Sequence, residues 1–296
     1  MKTFESLTYV NSRNERITFG IGSKYHVNVI RDATGQADLN DTIYSTSSMG
    51  QHGDTFQGVR IEPREITING KIKASGRDEE LSLRRKALKI LNPELDGTLY
   101  YNYGSYTRKI DAKVDGSPAF THPDLTEVFD ITFKCLSPFW LEEQSHREDI
   151  ASWVADWYFP TVILKDDPNS MMYGHRLINV IVDVLNDGHV STGMTIQFRA
   201  LGELTNPQIF NVNTREFMKI NYTMVAGDII TVNTDYGKKD ITLLRSGVET
   251  NIYRYMDVDS TFLQLDIGDN IFRYSADAGE TNLEVTLLYD QKYLGV

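Results

Sequence analysis

One cysteine, Cys135, stands in 296 residues, so no disulfide can form within the chain. That fits folding in a reducing compartment. Proline is scarce too, at 8 residues against 16 tyrosines and 13 phenylalanines. The balance favours strands and argues against a disordered or collagen-like chain. No run approaches 18 consecutive apolar residues, so no membrane-crossing helix is expected. Residues 1–6 lack a basic stretch followed by an apolar one, so no secretory signal is expected either. Positive charge is the last shortage: 30 basic residues face 41 acidic ones, a net charge of −11. A phosphate-tracking surface needs local positive charge, so nucleic-acid binding is not expected. The deficit lies mostly in residues 151–296, with 11 basic against 19 acidic, whereas residues 1–150 hold 19 against 22. The second half therefore repels DNA and anionic lipid at long range.

Chemical signatures are missing as well. Gly20-Ile21-Gly22-Ser23-Lys24 has the look of a phosphate loop, but it lacks the earlier glycine and is followed by β-prone residues. The six histidines at 26, 52, 122, 146, 175 and 189 never fall at zinc-ligand spacing. Asp257, Asp259, Asp266 and Asp269 fail the calcium-loop pattern, because Thr261 occupies the third ligand position and no glycine follows it. They read as solvated turn carboxylates. No Gly-x-Ser-x-Gly elbow exists, and Cys135 lies in a strand with no histidine nearby. Two of the 41 acids could converge as they do in glycosidases, but so many acids make that coincidence uninformative. The residues name no catalytic, cofactor-binding or metal-binding site, and no cofactor is expected.

What is present is strand signal. About 150 residues per domain gives two domains as the starting expectation. Ile17–Phe19, Tyr25–Ile30 and Val59–Ile72 are β-branched and aromatic. Residues 32–56 are polar and read as a long loop, mobile or a contact arm. In Ile66-Thr67-Ile68-Asn69-Gly70-Lys71-Ile72 the Asn-Gly pair signals a hairpin. Yet Arg64, Ile66, Ile68, Gly70 and Ile72 keep one parity, and a continuous strand with a closely approached glycine is the favoured reading. Leu81, Leu88 and Leu91, with Leu83, Ala87 and Ile90, give a helix over 77–91 with acids in its first turn, stopped by Asn92-Pro93. Its cluster Arg84, Arg85, Lys86 and Lys89 reads as a solvated face rather than a ligand site. Residues 100–112 form a hairpin around Gly104-Ser105, and Val128–Leu136 is a further strand ending at Ser137-Pro138-Phe139-Trp140.

The charged stretch 142–149 reads as a domain boundary. Ile150, Trp153, Val154 and Trp157 then share a helical face, read as packing against a neighbouring domain. From His175 onward ten short strands are expected: 176–185, 194–199, 208–213, 217–222, 228–233, 240–244, 248–255, 262–267, 270–274 and 283–289. Gly, Asn or Asp bound each one, as in an antiparallel sandwich.

These patterns together resemble a known family. Asn186-Asp187-Gly188, Leu201-Gly202, Asn206-Pro207-Gln208-Ile209, Met218, Ala226-Gly227-Asp228-Ile229-Ile230 and Thr234-Asp235-Tyr236-Gly237-Lys238 resemble the siphophage distal tail protein (Dit) family. So do Gly247-Val248, Asn251, Asp259-Ser260-Thr261-Phe262, Gly268-Asp269-Asn270 and Tyr293-Leu294-Gly295-Val296. In the first half, Ile66-x-Ile-x-Gly, the helix stop at Pro93 and Ser137-Pro138-Phe139-Trp140 have counterparts. The stretches 32–56 and 142–172 match least.

The resemblance implies a mainly β protein in three parts. Residues 1–140 would form a β-sandwich-like ring domain with one helix and a hairpin arm, 141–170 a connector, and 171–296 a galectin-like antiparallel β-sandwich. It implies a non-enzymatic structural role at the tip of a long non-contractile tail. There a homohexameric ring would join the tail tube and tape-measure protein to the baseplate, tail fibre or receptor-binding proteins. Assembly would occur in the host cytoplasm and release by lysis. The Tyr100–Tyr106 cluster and the 32–56 stretch are the expected inter-subunit elements, since tyrosine is enriched at interfaces. A carbohydrate-binding protein, stacking sugar on Trp153, Trp157 and Tyr158, is the competing reading. A cell-wall hydrolase is the third, and no activity of that kind is expected.

Overall fold

Period-two alternation organises most of the chain. The computed structural model describes residues 5–121, 127–155, 174–178 and 181–296. Their contacts divide into two units, Met1–Glu143 with Lys292–Val296, and Gln144–Gln291.

The first unit is built on one long sheet. Its strands run in the order Lys113–Val114, Val128–Cys135, Arg64–Ile72, Tyr25–His26, Arg16–Gly20, Ser6–Asn11, Gly97–Tyr103, Tyr106–Asp111, Trp140–Glu142 and Lys292–Tyr293. The sheet curls over its own core. Tyr9 and Phe133, from strands far apart in that order, bring their rings to 5.1 Å, and Phe19 meets Phe129 at 5.8 Å. Leu7, Ile17, Ile66, Ile68 and Ile131 fill the space between, which gives the sandwich-like packing expected of this half.

Arg64–Ile72 is the continuous strand, buried at every second residue from Arg64. A Cβ on Gly70 would lie 2.4 Å from Phe129 Cζ, 2.7 Å from Val27 Cγ2 and 2.8 Å from the His26 carbonyl oxygen. Glycine is there to let the neighbouring strand close, and no turn is made. The helix runs Arg77–Ile90. Glu79 accepts from the Ser75 amide at 2.7 Å at its start, and Tyr25 Oη donates to the Leu83 carbonyl at 2.8 Å. Its buried side is Ala87 and Ile90 with Leu91, whereas Leu81 and Leu88 stay 40% and 41% exposed. The leucine stripe expected to face the core is thus partly turned to solvent.

The second unit is a sandwich of two antiparallel sheets. One has the order His146–Asp149, Leu283–Tyr289, Met194–Ala200, Ile229–Asn233, Asp240–Arg245 and Val248–Asn251. The other runs Ile181–Asn186, Gly268–Ala278, Leu204–Asn211 and Phe217–Lys219, with Thr223–Met224 paired to the third of these. Both inner faces supply one core, including Ile196, Phe198, Ile209, Val232, Phe272 and Leu287.

Several expectations are corrected. Residues 32–56 are not a loop: Asp41–Thr46 and Thr55–Ile61 pair as a hairpin. Exposure on both faces removed the apolar alternation that reveals strands. Tyr25–Ile30 is a strand only at Tyr25–His26, and Val29–Asp32 is a helical turn. The helical stripe at 150–157 is a strand over Ala151–Ala155, paired with Gly174–Ile178. Trp157 and Tyr158 lie outside the described residues. Over its described part, 141–170 is not a connector, because Trp140–Glu142 pairs in the first unit and His146–Asp149 in the second. Residues 262–267 bury Leu263 and Leu265 without forming a strand, since only Leu265 bridges, to Thr192. The strand expected over 248–255 stops at Asn251, and a 3-10 turn follows at Tyr253–Tyr255.

Candidate assembly surface

The arm, Asp41–Ile61, has no buried side, unlike the long strands of the sheet beside it. Ile43 is 65% exposed, Phe56 65% and Val59 56%. The register explains how they gather. Ile43 lies opposite Val59 and Asp41 opposite Ile61, then the pairing shifts so that Ser45 faces Phe56. The extra residue, Gln57, resets the alternation and puts Phe56 on the same face as Ile43 and Val59. A hairpin alone is marginally stable in water, so an exposed one with an apolar face needs a partner.

The root of the arm is held firmly. Arg64 is 2% exposed and forms no ion pair among the described residues, although Asp38 is near enough to favour its charge. Its guanidinium donates to the carbonyls of Pro138 at 2.9 Å, Gly35 at 2.8 Å and Gln36 at 2.5 Å, and also to that of Leu294. Burial lowers its pKa from the ordinary arginine value, and the carbonyl fork keeps the charge satisfied. Trp140 Nε1 donates to the same Gln36 carbonyl at 2.9 Å. Gly35 has φ +83°, and a Cβ there would lie 1.9 Å from the Glu65 carbonyl oxygen. The chain therefore leaves for the arm through a turn that only glycine fits. Nearby, Arg108 lies over the Tyr293 ring at 3.6 Å and pairs with Glu142 at 2.7 Å. In the tyrosine cluster, Tyr103 and Tyr106 are 53% and 40% exposed while Tyr101 is buried.

The basic residues of the helix divide in two. Arg84 reaches the buried Glu127 at 3.1 Å and Lys89 reaches Glu15 at 2.5 Å. Arg85 and Lys86 pair with no described carboxylate. Lys24, from the phosphate-loop lookalike, is bound to Glu79 at 2.8 Å and holds that carboxyl down at about 2.

In the second unit a groove of about 320 Å³ opens beside the edge strand Val248–Asn251. Tyr222, Tyr255, Leu243 and Ile252 line it, with Arg245 and Arg254 at the rim. Arg245 grips the 1%-exposed Asp228, donating from Nε at 2.8 Å and from Nη2 at 2.5 Å. That contact holds the Asp228 carboxyl below the usual range. Among outward-facing residues of the six-stranded sheet, Gln197, Thr231, Thr242 and Thr286 form a polar row with no aromatic to stack on a sugar ring.

Of the aspartates at 257, 259, 266 and 269, Asp257 orders a turn, accepting from Asn221 at 2.9 Å and from the Asp259 amide at 3.0 Å. No group of three or more metal-ligating side chains exists among the described residues. Cys135 is fully buried, and burial pushes its thiol up to about 12, which leaves it inert.

The motif residues of the second unit are organisers of loops. Asn186 donates to the carbonyls of Val190 and Leu265, both at 3.1 Å, and accepts from the Gly188 amide. Asn270 donates to those of Asp266 at 2.8 Å and Gly268 at 2.9 Å. Residues 21–135 match the family described as phage tail protein, RIFT-related domain, and 187–293 match the siphovirus-type tail component, C-terminal domain. The chain belongs to the siphophage distal tail protein family. Such proteins are structural tail components, so this Dit protein is not an enzyme.

Its fold is that of the Dit protein (gp 19.1) of phage SPP1, whose structure is described as a paradigm of hub adsorption apparatus in phages infecting Gram-positive bacteria. The two share 13% identity and a TM-score of 0.65 over 97% of this chain and 98% of that one. Chains of the phage P2 baseplate in its activated conformation, with calcium and with strontium, match at 12% identity and TM-score 0.53, over 99% of both chains. Comparison with curated proteins gives no match. No helix among the described residues is long and apolar enough to cross a membrane. The arm falls in the stretch that the sequence reads as a mobile loop or a contact arm, without showing its strands.

Proposed function

We propose that this Dit protein forms a six-membered ring at the tail tip, the hub on which the tail tube ends and the receptor-binding apparatus is mounted. The carrying observation is the arm, a hairpin with an exposed apolar face on a rigidly clamped root. A monomer gains nothing from such an element, whereas a ring covers it six times over. The first unit builds the ring in this reading, and the second presents its acidic sandwich to tail fibre or baseplate partners. Assembly takes place in the host cytoplasm, and the site of action is the virion tail.

Sedimentation or light scattering on the purified chain tests the reading. Six chains of 33.7 kDa give a particle of about 200 kDa. A chain that remains at 33.7 kDa at high concentration counts against it. The groove with Tyr222 and Tyr255 is the one observation favouring a saccharide ligand. A glycan array decides that separately, and the polar outer row without an aromatic argues for no specific binding.

A further inference from the structure

The six-stranded sheet of the second unit ends on an edge that borders the groove. Val248–Asn251 pairs with Asp240–Arg245 on one side and with no described strand on the other. The turn between them, Ser246-Gly247, has φ +52° and +79°, and it sets Arg245 opposite Val248. The Ile252 amide donates to the Ile241 carbonyl at 2.9 Å, so the alternate residues Val248, Thr250 and Ile252 bond inward. Glu249 and Asn251 therefore turn their backbone N–H and C=O groups outward, past the end of the ladder. All four residues of the strand are exposed, and none is the proline or lysine that blunts such an edge.

The side chains follow the same alternation. Thr250 lies opposite the buried Leu243 and Val248 opposite Arg245, so both stand on the groove side of the sheet. Glu249 lies opposite Leu244, which is 40% exposed, on the outer side. Tyr222 and Tyr255 also line the groove, with ring centroids 5.0 Å apart and edge to face. A guanidinium covers one face of each: Arg245 lies 5.5 Å from the Tyr222 centroid and Arg254 4.7 Å from that of Tyr255. The rim therefore offers charge and backbone groups more than bare aromatic face. The two arginines differ. Arg245 is spent on the buried Asp228, whereas Arg254 donates to Tyr255 Oη at 2.9 Å and forms no ion pair among the described residues. Residues 151–296 hold 11 basic against 19 acidic side chains, and in that setting an unpaired cation beside a groove calls for an anionic partner.

We infer that the groove takes an extended acidic peptide of another protein, added as a further strand along Val248–Asn251. Its backbone bonds to the outward groups of Glu249 and Asn251. Its alternate side chains, about 7 Å apart, pass Val248 and Thr250 into the groove, and a carboxylate among them meets Arg254. Main-chain bonds supply the affinity, while the groove and Arg254 select the sequence. A second copy adding its own edge is the poorer occupant. The carboxylate of that strand, Glu249, stands on the outer side, away from the groove and Arg254. This inference rests on the reading of the second unit as the one that holds tail partners, and it is independent of the ring.

Peptide binding tests it on the full-length chain. The labelled chain is screened on an array of random peptides of about eight residues, long enough to pair along the whole strand, and its mass is measured at the same concentration. The expected binders carry β-branched or aromatic residues at alternate positions, with an Asp or Glu on that same parity. The strongest binder is then titrated by fluorescence polarisation. Arg254→Glu is expected to weaken it about tenfold or more. Glu249→Pro does the same, because it removes an outward donor while leaving the bonds to Asp240–Arg245 in place. Methylating alternate amide nitrogens of the peptide abolishes binding in one frame and spares it in the other, as strand addition requires. A parent of ring mass that selects no peptide overturns the inference and leaves the ring standing. So does a peptide bound equally by both variants with unchanged circular dichroism, or one indifferent to methylation in either frame. A monomeric parent that binds as expected overturns the ring and supports the docking. An oligomer that Glu249→Pro dissolves shows the edge pairing with a second copy, and a saccharide bound in place of any peptide and lost in Arg254→Glu assigns the groove to glycan; each overturns the inference.

Discussion

At the scale of single residues, buried polar groups are the fixed points of both units. Arg64 satisfies four backbone carbonyls at once, a geometry that lysine's single ammonium cannot copy. Arg64→Met leaves those carbonyls without their donor and is expected to cost about 3 kcal/mol, read from urea unfolding at neutral pH. Arg64→Lys is expected to recover only part of this. Asp228 makes a prediction in pH. Its carboxyl is held low by Arg245, so the stabilisation is complete above the ordinary carboxylate value of about 3.9 and fades as pH falls through the lowered folded value. Asp228→Asn is therefore expected to unfold at lower urea than the parent at pH 7, and to approach the parent as pH falls through the lowered folded value. Equal midpoints at pH 7 would show that the pair contributes nothing. None of this was legible in the sequence: Arg64 shares a parity with core isoleucines, and parity reports burial without saying what satisfies the charge.

At the scale of elements, the sequence spoke clearly wherever one face was buried and the other wet. Arg64–Ile72 declared itself through five same-parity positions, and Gly70 declared a close approach. Gly70→Ala is expected to cost about 2 kcal/mol or more, because Phe129 and the His26 carbonyl must both give way. Chemical denaturation of that variant is the check. The arm was illegible as strands for the opposite reason, having no buried face to impose alternation. The helix was legible in extent but not in orientation. Leu81 and Leu88 fit a 3.6-residue period as well as Ala87 and Ile90 do, and only the packing distinguishes which stripe meets the core. Leu263 and Leu265 show the converse, alternating burial without a ladder.

At the scale of the whole molecule, Lys292–Val296 completes the first unit although it follows the second in the chain. Tyr293 is buried against Arg108, Leu294 accepts from Arg64, and Val296 packs on the first core. A chain cut after Gln291 is expected to lose about 2–4 kcal/mol in the first unit alone. Hydrogen exchange should then rise around residues 35–37 and 138–142, while the core strands of the second unit keep their protection. The family likeness was legible because turn motifs such as Gly268-Asp269-Asn270 are set by local geometry, with Gly268 at φ +90° and Asn270 tying the loop. A contact surface leaves no such signature, since it needs only exposure and a complementary neighbour. The most direct test of the account is the mass and image of the purified full-length chain. The account predicts a six-fold ring of about 200 kDa. A particle of 33.7 kDa at every concentration, with no ring in negative stain, would contradict it.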